Sequence, residues 1–93
     1  MEEFDYAFAE GDFEIMQKII DNYNYDINIK SSVNGATYLI DACKFGEYEL
    51  AEFLIENGAN IHLKDFKGKS AMDYACEKEY YDIISLLSGD FND

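Results

Sequence analysis

An all-α solenoid of stacked helix pairs, joined by short hairpin loops and closed by a capping unit at each end, is the fold class this sequence predicts. Three observations carry it. Much of Gly35–His62 recurs 33 residues later: Gly35 falls on Gly68, Thr37 on Ser70, Leu39 on Met72, Ala42-Cys43 on Ala75-Cys76, Leu50 on Ile83 and Phe53-Leu54 on Leu86-Leu87. A weaker copy lies about 35 residues earlier, where Gly11, Ile15 and Ile19 fall on Gly46, Leu50 and Leu54. Within each copy the apolar residues follow helical spacing between glycine breaks. A helix pair of this size cannot bury its apolar face alone, whereas stacked copies can, so the period signals a repeat array.

In chain order, residues 2–10 read as a short helix with Phe4, Ala7 and Phe8 as its apolar stripe, and, with no hairpin before it, as an amino-terminal capping unit. Gly11 ends it. Asp12 is the N-cap of a second helix whose Ile15, Met16, Ile19 and Ile20 face the core and which stops near Asn22. The run DNYNYDIN from Asp21 to Asn28 is turn-forming. A calcium loop there would need glycine at its sixth position and glutamate at its twelfth; counted from Asn22 these are Ile27 and Val33. The run is therefore the first inter-repeat hairpin, lengthened by a residue or two. Residues 36–45 are expected as an inner helix and 47–57 as an outer one, with Leu50, Phe53 and Leu54 inward, Glu49, Glu52 and Glu56 outward, and Gly58 in the left-handed position that ends it. Residues 60–68 make the second hairpin, 70–78 and 81–88 the last helix pair, and Gly89 with the tail DFND closes the array. The units run over about 1–31, 32–64 and 65–93 of a single domain.

The period, the Gly35-Ala36-Thr37 opening, the Ala42-Cys43 pair, the Gly46 break and the run from Glu56 to Ile61 resemble ankyrin repeats. Residues 35–65 follow the family pattern without a gap, 68–87 follow it well and the first unit loosely. One departure stands out: the proline usual in the helix-opening motif is Tyr38 in one unit and Ala71 in the next, and the chain has no proline. The resemblance implies a protein-binding module and says nothing of the partner's identity. It also implies that hairpin tips and the inner-helix surface meet the partner. Carried onto this chain, that marks Val33, Asn34, Ala36, Lys44, Phe45, Lys64, Phe66, Lys67, Lys69, Glu77 and Lys78, with Asn57 at the edge. Cys43 and Cys76 stand where the family has alanine, on neighbouring helices whose axes are about 8–10 Å apart. A disulfide needs Cα atoms within about 7 Å, so both are expected as buried free thiols.

Composition narrows the function. Net charge of −13 opposes direct binding to nucleic acid or to an anionic membrane and favours steered encounter with a basic partner. No apolar run approaches the roughly 20 residues a membrane helix needs. The acidic start MEEFDYAF lacks the basic n-region of a signal peptide, so a cytoplasmic location is expected. His62 is the only histidine and the two cysteines are 33 residues apart, which supplies neither a catalytic constellation nor a zinc set. No phosphate-cradling glycine loop is present. The reading is a non-enzymatic monomer without cofactor or metal.

The charges point to an interaction surface. Every lysine after residue 32 falls among the tip and groove residues, whereas the outer helices carry Glu47, Glu49, Glu52, Glu56 and Asp82. Phe45 and Phe66 beside those lysines are anchor-like, or else pack against a neighbouring hairpin. Tyr6, Asp41 and Tyr74 share a position the family prefers apolar; Asp41 is expected either to bond a neighbouring tyrosine or to line the groove. With a starting Met, two caps and no linker, the chain reads as a stand-alone binding protein that occludes its partner: an inhibitor of the immunity type directed at a basic toxin or nuclease. A scaffold or adaptor docking a host or regulatory protein through the lysine- and aromatic-bearing tips is the alternative, and an acidic nucleic-acid mimic ranks below it.

Overall fold

Asp12, Thr37 and Ser70 begin three helices by the same chemistry. Asp12 Oδ1 accepts from the Ile15 amide at 3.2 Å, Thr37 Oγ1 from Ile40 at 3.1 Å and Ser70 Oγ from Asp73 at 3.3 Å, each satisfying an amide that the first helical turn leaves unpaired. Asp73 returns the bond by accepting from the Ser70 amide at 2.9 Å, completing a capping box. The computed structural model describes residues 2–89, and the helices within it are α1 (Glu2–Glu10), α2 (Phe13–Tyr23), α3 (Tyr38–Lys44), α4 (Tyr48–Glu56), α5 (Ala71–Lys78) and α6 (Tyr81–Ser88). The expected element order holds. α3 is shorter than the 36–45 expected because the Thr37 cap, rather than Ala36, starts it. The proposed closing role of the tail at 90–93 lies outside the described residues.

Antiparallel pairs α1/α2, α3/α4 and α5/α6 stack side by side, and α3 is the hub, packed on both α4 and α5. Its Leu39, Ile40, Ala42 and Cys43 are buried, as are Leu50, Ala51 and Leu54 of α4, Ala71, Tyr74 and Ala75 of α5, and Ile83, Leu86 and Leu87 of α6. A side chain such as Leu54 or Ile83, with no exposure at all, contributes about 1.5–3 kcal/mol by leaving water. Small residues at 42, 71 and 75 let α3 and α5 approach closely. The first pair joins the stack differently, through rings: Phe4 stacks on Tyr25 at 4.6 Å, and Tyr38 lies 4.9 Å from Phe4 and 5.1 Å from Phe8.

Two loops connect the pairs. In the second, the Asp65 amide donates to Lys69 O and Gly68 donates back to Asp65 O, both at 2.9 Å; in the first, Ser31 donates to Ala36 O at 2.9 Å, so the first tip is one residue longer. The loops are tied to each other. Phe66 N donates to Asn34 O at 2.9 Å, and Asn28 accepts from the Asn60 amide at 2.7 Å. Gly46 and Glu79 occupy the same repeat position and both take left-handed backbone, with φ of +73° and +60°. Glycine adopts this freely and glutamate does not.

Two core assignments, Ile15 and Cys76, differ from expectation. Ile15 is exposed because, among the described residues, no helix packs over the first turn of α2 on that side. Tyr6, in the same place, is 73% exposed. Cys76 is exposed, not buried, because α5 has a described helix pair on only one side and Cys76 falls on the other. Cys43 is buried, and loss of solvent pushes its thiol pKa up to about 12. In the folded protein, then, one thiol is expected to react with Ellman's reagent quickly and the second only on unfolding; two fast thiols would contradict this burial of α3.

Candidate protein-binding surface

The tips are built from the loop geometry just described. Asn34 turns the first loop by accepting from the Ala36 amide at 3.0 Å, which leaves Val33 at the apex, 86% exposed. In the second loop Asp65 accepts from the amides of Lys67 and Lys69 at 2.9 and 3.0 Å and from the hydroxyl of Tyr74. These bonds hold the Asp65 carboxyl below the usual range, the tyrosine's contribution being the largest, and the same bond pushes the Tyr74 phenol up to about 12. The turn puts Phe66 beside Val33's loop with its ring across Gly35, yet 68% exposed. Phe45, at the end of α3, is 65% exposed.

The eleven residues marked from the sequence therefore divide. Val33, Asn34, Phe45, Lys64, Phe66, Lys67 and Lys78 are exposed and face solvent. Ala36 is buried beneath the first loop, which its carbonyl closes, so its side chain is not part of the exposed surface. Lys44, Lys69 and Glu77 are engaged within the chain. Lys69 Nζ lies 2.6 Å from Glu77, a bond that raises the lysine's pKa, and 5.4 Å from the Tyr74 ring; Lys44 sits on that ring's neighbourhood at 5.5 Å. Two cations thus flank a single tyrosine, which explains how a phenol ring occupies a position the family prefers apolar.

A second feature was not read from the sequence. A cleft of about 410 Å³ opens between α1, the first loop and α3, lined by Asp5, Tyr25, Lys30, Tyr38 and Asp41 among others. Tyr38 donates to Asp5 Oδ1 at 2.5 Å, and its oxygen lies 2.8 Å from the hydroxyl of Tyr25, which donates in turn. Burial first, and the bond to Asp5 second, raise the Tyr38 phenol far above its ordinary value. Asp41 has no side-chain hydrogen-bond partner among the described residues, against the expected bond to a tyrosine, and it lines this cleft. Burial raises its pKa and nearby Lys44 opposes the rise. The visible signal for this cleft was the missing proline: Tyr38 stands in its place, and the exchange puts a hydroxyl where the family has a ring without one.

The family model of ankyrin repeats (3 copies) matches residues 4–93. The chain belongs to the ankyrin repeat family. Ankyrin repeats are protein–protein interaction modules, and that is the general role of this one. The chain is 41% identical over 80 residues to the ankyrin repeat and KH domain-containing protein mask-1 of Caenorhabditis elegans, covering 85% of this chain and 3% of that protein. Among solved structures it resembles the ankyrin repeat protein EF0377, at 31% identity and a TM-score of 0.78, over 88% of this chain and 43% of that one. A chain of the complex between the predatory endopeptidase Bd0816 of Bdellovibrio bacteriovorus and immunity protein Bd3460 shares the fold, with a TM-score of 0.75 at 24% identity over 95% of this chain and 45% of that one. This chain thus spans less than half of each of these. Among the described residues no helix is long and apolar enough to cross a membrane, and no group of three or more His, Cys, Asp or Glu side chains is placed to hold a metal ion.

Proposed function

We propose that this ankyrin domain docks a partner protein on its hairpin tips, through Val33, Phe66 and Phe45 with Lys64 and Lys67 beside them. The observation that carries this is the exposure of Val33 and Phe66 on two loops that are bonded to each other through Asn34 O and Phe66 N. Apolar side chains on rigidly joined loops lose little further freedom on binding, which favours an anchor role. The partner surface that fits is an apolar recess flanked by carboxylates for the two free lysines. An inhibitor of the immunity type, occluding a basic protein, is the second reading; the net charge of −13 and the exposed Glu47, Glu49 and Glu56 of the outer face favour it.

Affinity capture from the source organism separates the readings. The double variant Val33→Asp/Lys67→Glu changes only solvent-facing side chains. It is expected to retain native circular dichroism and to lose its captured partner by about 30-fold, the effect of removing a hot spot of about 2 kcal/mol. If that variant keeps the partner and a variant with neutralised outer glutamates loses it, the tip reading is wrong and the inhibitor reading replaces it.

A further inference from the structure

A groove on the outer helices, sharing no residue with the tips, presents a second kind of chemistry. Its floor is the pair Phe13 and Phe53, with ring centroids 5.3 Å apart and planes at 46°. Phe13 is 38% exposed and lies outside the buried core, so this ring is not needed to fill the interior. Its rim is Glu49, Glu52 and Glu56, and the depression, open to solvent, has a volume of about 200 Å³. That is below the 300 Å³ or so at which small-molecule pockets begin, and suits one long side chain at a time.

The rim is one face of α4. Positions 49, 52 and 56 are three and four residues apart, so the carboxylates form a row about 10 Å long. α4 carries no lysine or arginine. On the facing helix Lys18 is taken by Glu14, 3.9 Å away. The floor is held in place from below. Gln17 Nε2 donates to Asn57 Oδ1 at 3.0 Å and Asn57 Nδ2 donates back to Gln17 Oε1 at 3.3 Å, fixing α2 against the end of α4. An aromatic floor attracts a cation to its ring faces, and a carboxylate row attracts the same cation from the side.

We infer that the Phe13–Phe53 groove with its Glu49, Glu52 and Glu56 rim seats a basic segment of a partner protein, one arginine of which lies on the rings while its neighbours along the segment bond the carboxylates. Arginine suits the groove better than lysine because its planar fork stacks on a ring and bonds a carboxylate through two N–H groups at once. A helical segment with arginines three and four residues apart matches the row. The groove stands independently of the tip reading and gives the domain a second point of attachment to the same or another partner.

The probe is a fluorescein-labelled Ala/Arg helical peptide with arginines at that spacing, titrated at physiological salt. The Glu49→Gln/Glu52→Gln/Glu56→Gln variant is expected to weaken binding at least tenfold. The charge-matched Glu3→Gln/Glu10→Gln/Glu79→Gln variant is expected to stay within twofold of the unaltered domain. Phe13→Leu, which keeps every carboxylate, is expected to weaken binding about threefold, a cation–π contribution converted to affinity. Amide shifts on titration should centre on residues 49–56. Equal weakening by the two triple variants would show a diffuse field and overturn the groove, as would an unaltered domain that ignores the peptide. Val33→Asp/Lys67→Glu leaves this affinity unchanged, so the failure of either surface is seen separately.

Discussion

Gly35→Ala will lower the stability of this domain by about 2–5 kcal/mol, the sum of a left-handed backbone penalty of about 1–2 kcal/mol and an overpacking cost of about 1–3 kcal/mol. Gly35 has φ of +76°, and a Cβ there would stand 2.5 Å from Phe66 Cδ1 and 2.9 Å from the Phe66 amide nitrogen. The ring can swing away; the backbone nitrogen cannot, because its amide donates to Asn34 O and ties the loops together. Gly68 is the matched control. It holds the same repeat position with φ of +80° and meets nothing within 4 Å, so Gly68→Ala carries only the backbone penalty. Urea denaturation of both variants measures the difference. For a domain of this size each kcal/mol moves the melting temperature by about 4–8 °C, so the two should separate clearly. Equal losses would mean that the loop-to-loop contact at Phe66 is not rigid, and the tip surface would lose its preorganisation.

Tyr38→Ala is expected to cost about 3 kcal/mol, near the lower end for removing a large side chain because Tyr38 is only half-buried. The ring contacts Phe4, Phe8 and Tyr25, which are how the first helix pair is joined to α3. Loss of the ring should therefore release α1 and α2 first, seen as early hydrogen exchange of residues 4–20. Tyr38→Phe keeps the ring and should cost about 1–2 kcal/mol, since Asp5 and Tyr25 lose a hydrogen-bond partner but remain near water. The phenol also predicts a pH dependence. Its folded pKa is raised, so the neutral form is favoured by folding. That contribution is fully present below about pH 10, the unfolded value, and is lost as pH rises above it toward the folded value. Tyr38→Phe should flatten this alkaline decline in the urea midpoint. An unchanged alkaline limb would place the phenol in water and remove it from the junction. Tyr38→Pro restores the family residue at the first helical position, where proline is well suited, yet is expected to destabilise because the ring and hydroxyl contacts go with the tyrosine.

Much of the fold was legible because it is periodic. Leu39, Leu50, Leu54, Ile83 and Leu87 are buried where helical spacing and the 33-residue offset put them. The cap Asp12 was visible as a turn-forming residue ahead of an apolar run. Thr37 falls inside the helix that the spacing predicts, and the lengthening expected over 21–28 lies instead at the 31–36 tip, residues 21–23 being the end of α2. The exposure of Cys76 was not legible. Repeat position alone made it equivalent to Cys43, but burial depends on having a neighbour on both sides, and among the described residues α3 has one where α5 does not. The tip set was legible as a list of candidates and not as a surface, since nothing in the order of residues shows that Lys69 reaches Glu77 or that Lys44 and Lys69 flank Tyr74.

By itself the sequence determined the repeat, the order of helices, the cap at Asp12 and the net charge, because each depends on residue type and on spacing along one chain. Tertiary structure decided which lysines remain free, which aromatics lie outside the core, and that Phe13 meets Phe53 beneath a row of glutamates. Lys69 is held by Glu77 eight residues on, through the way the second loop folds back over α5, but the Phe13–Phe53, Gln17–Asn57 and Tyr38–Asp5 contacts join residues about 30 to 40 apart, set by how one helix pair seats on the next, and a contact across that seam has no local signature in the chain.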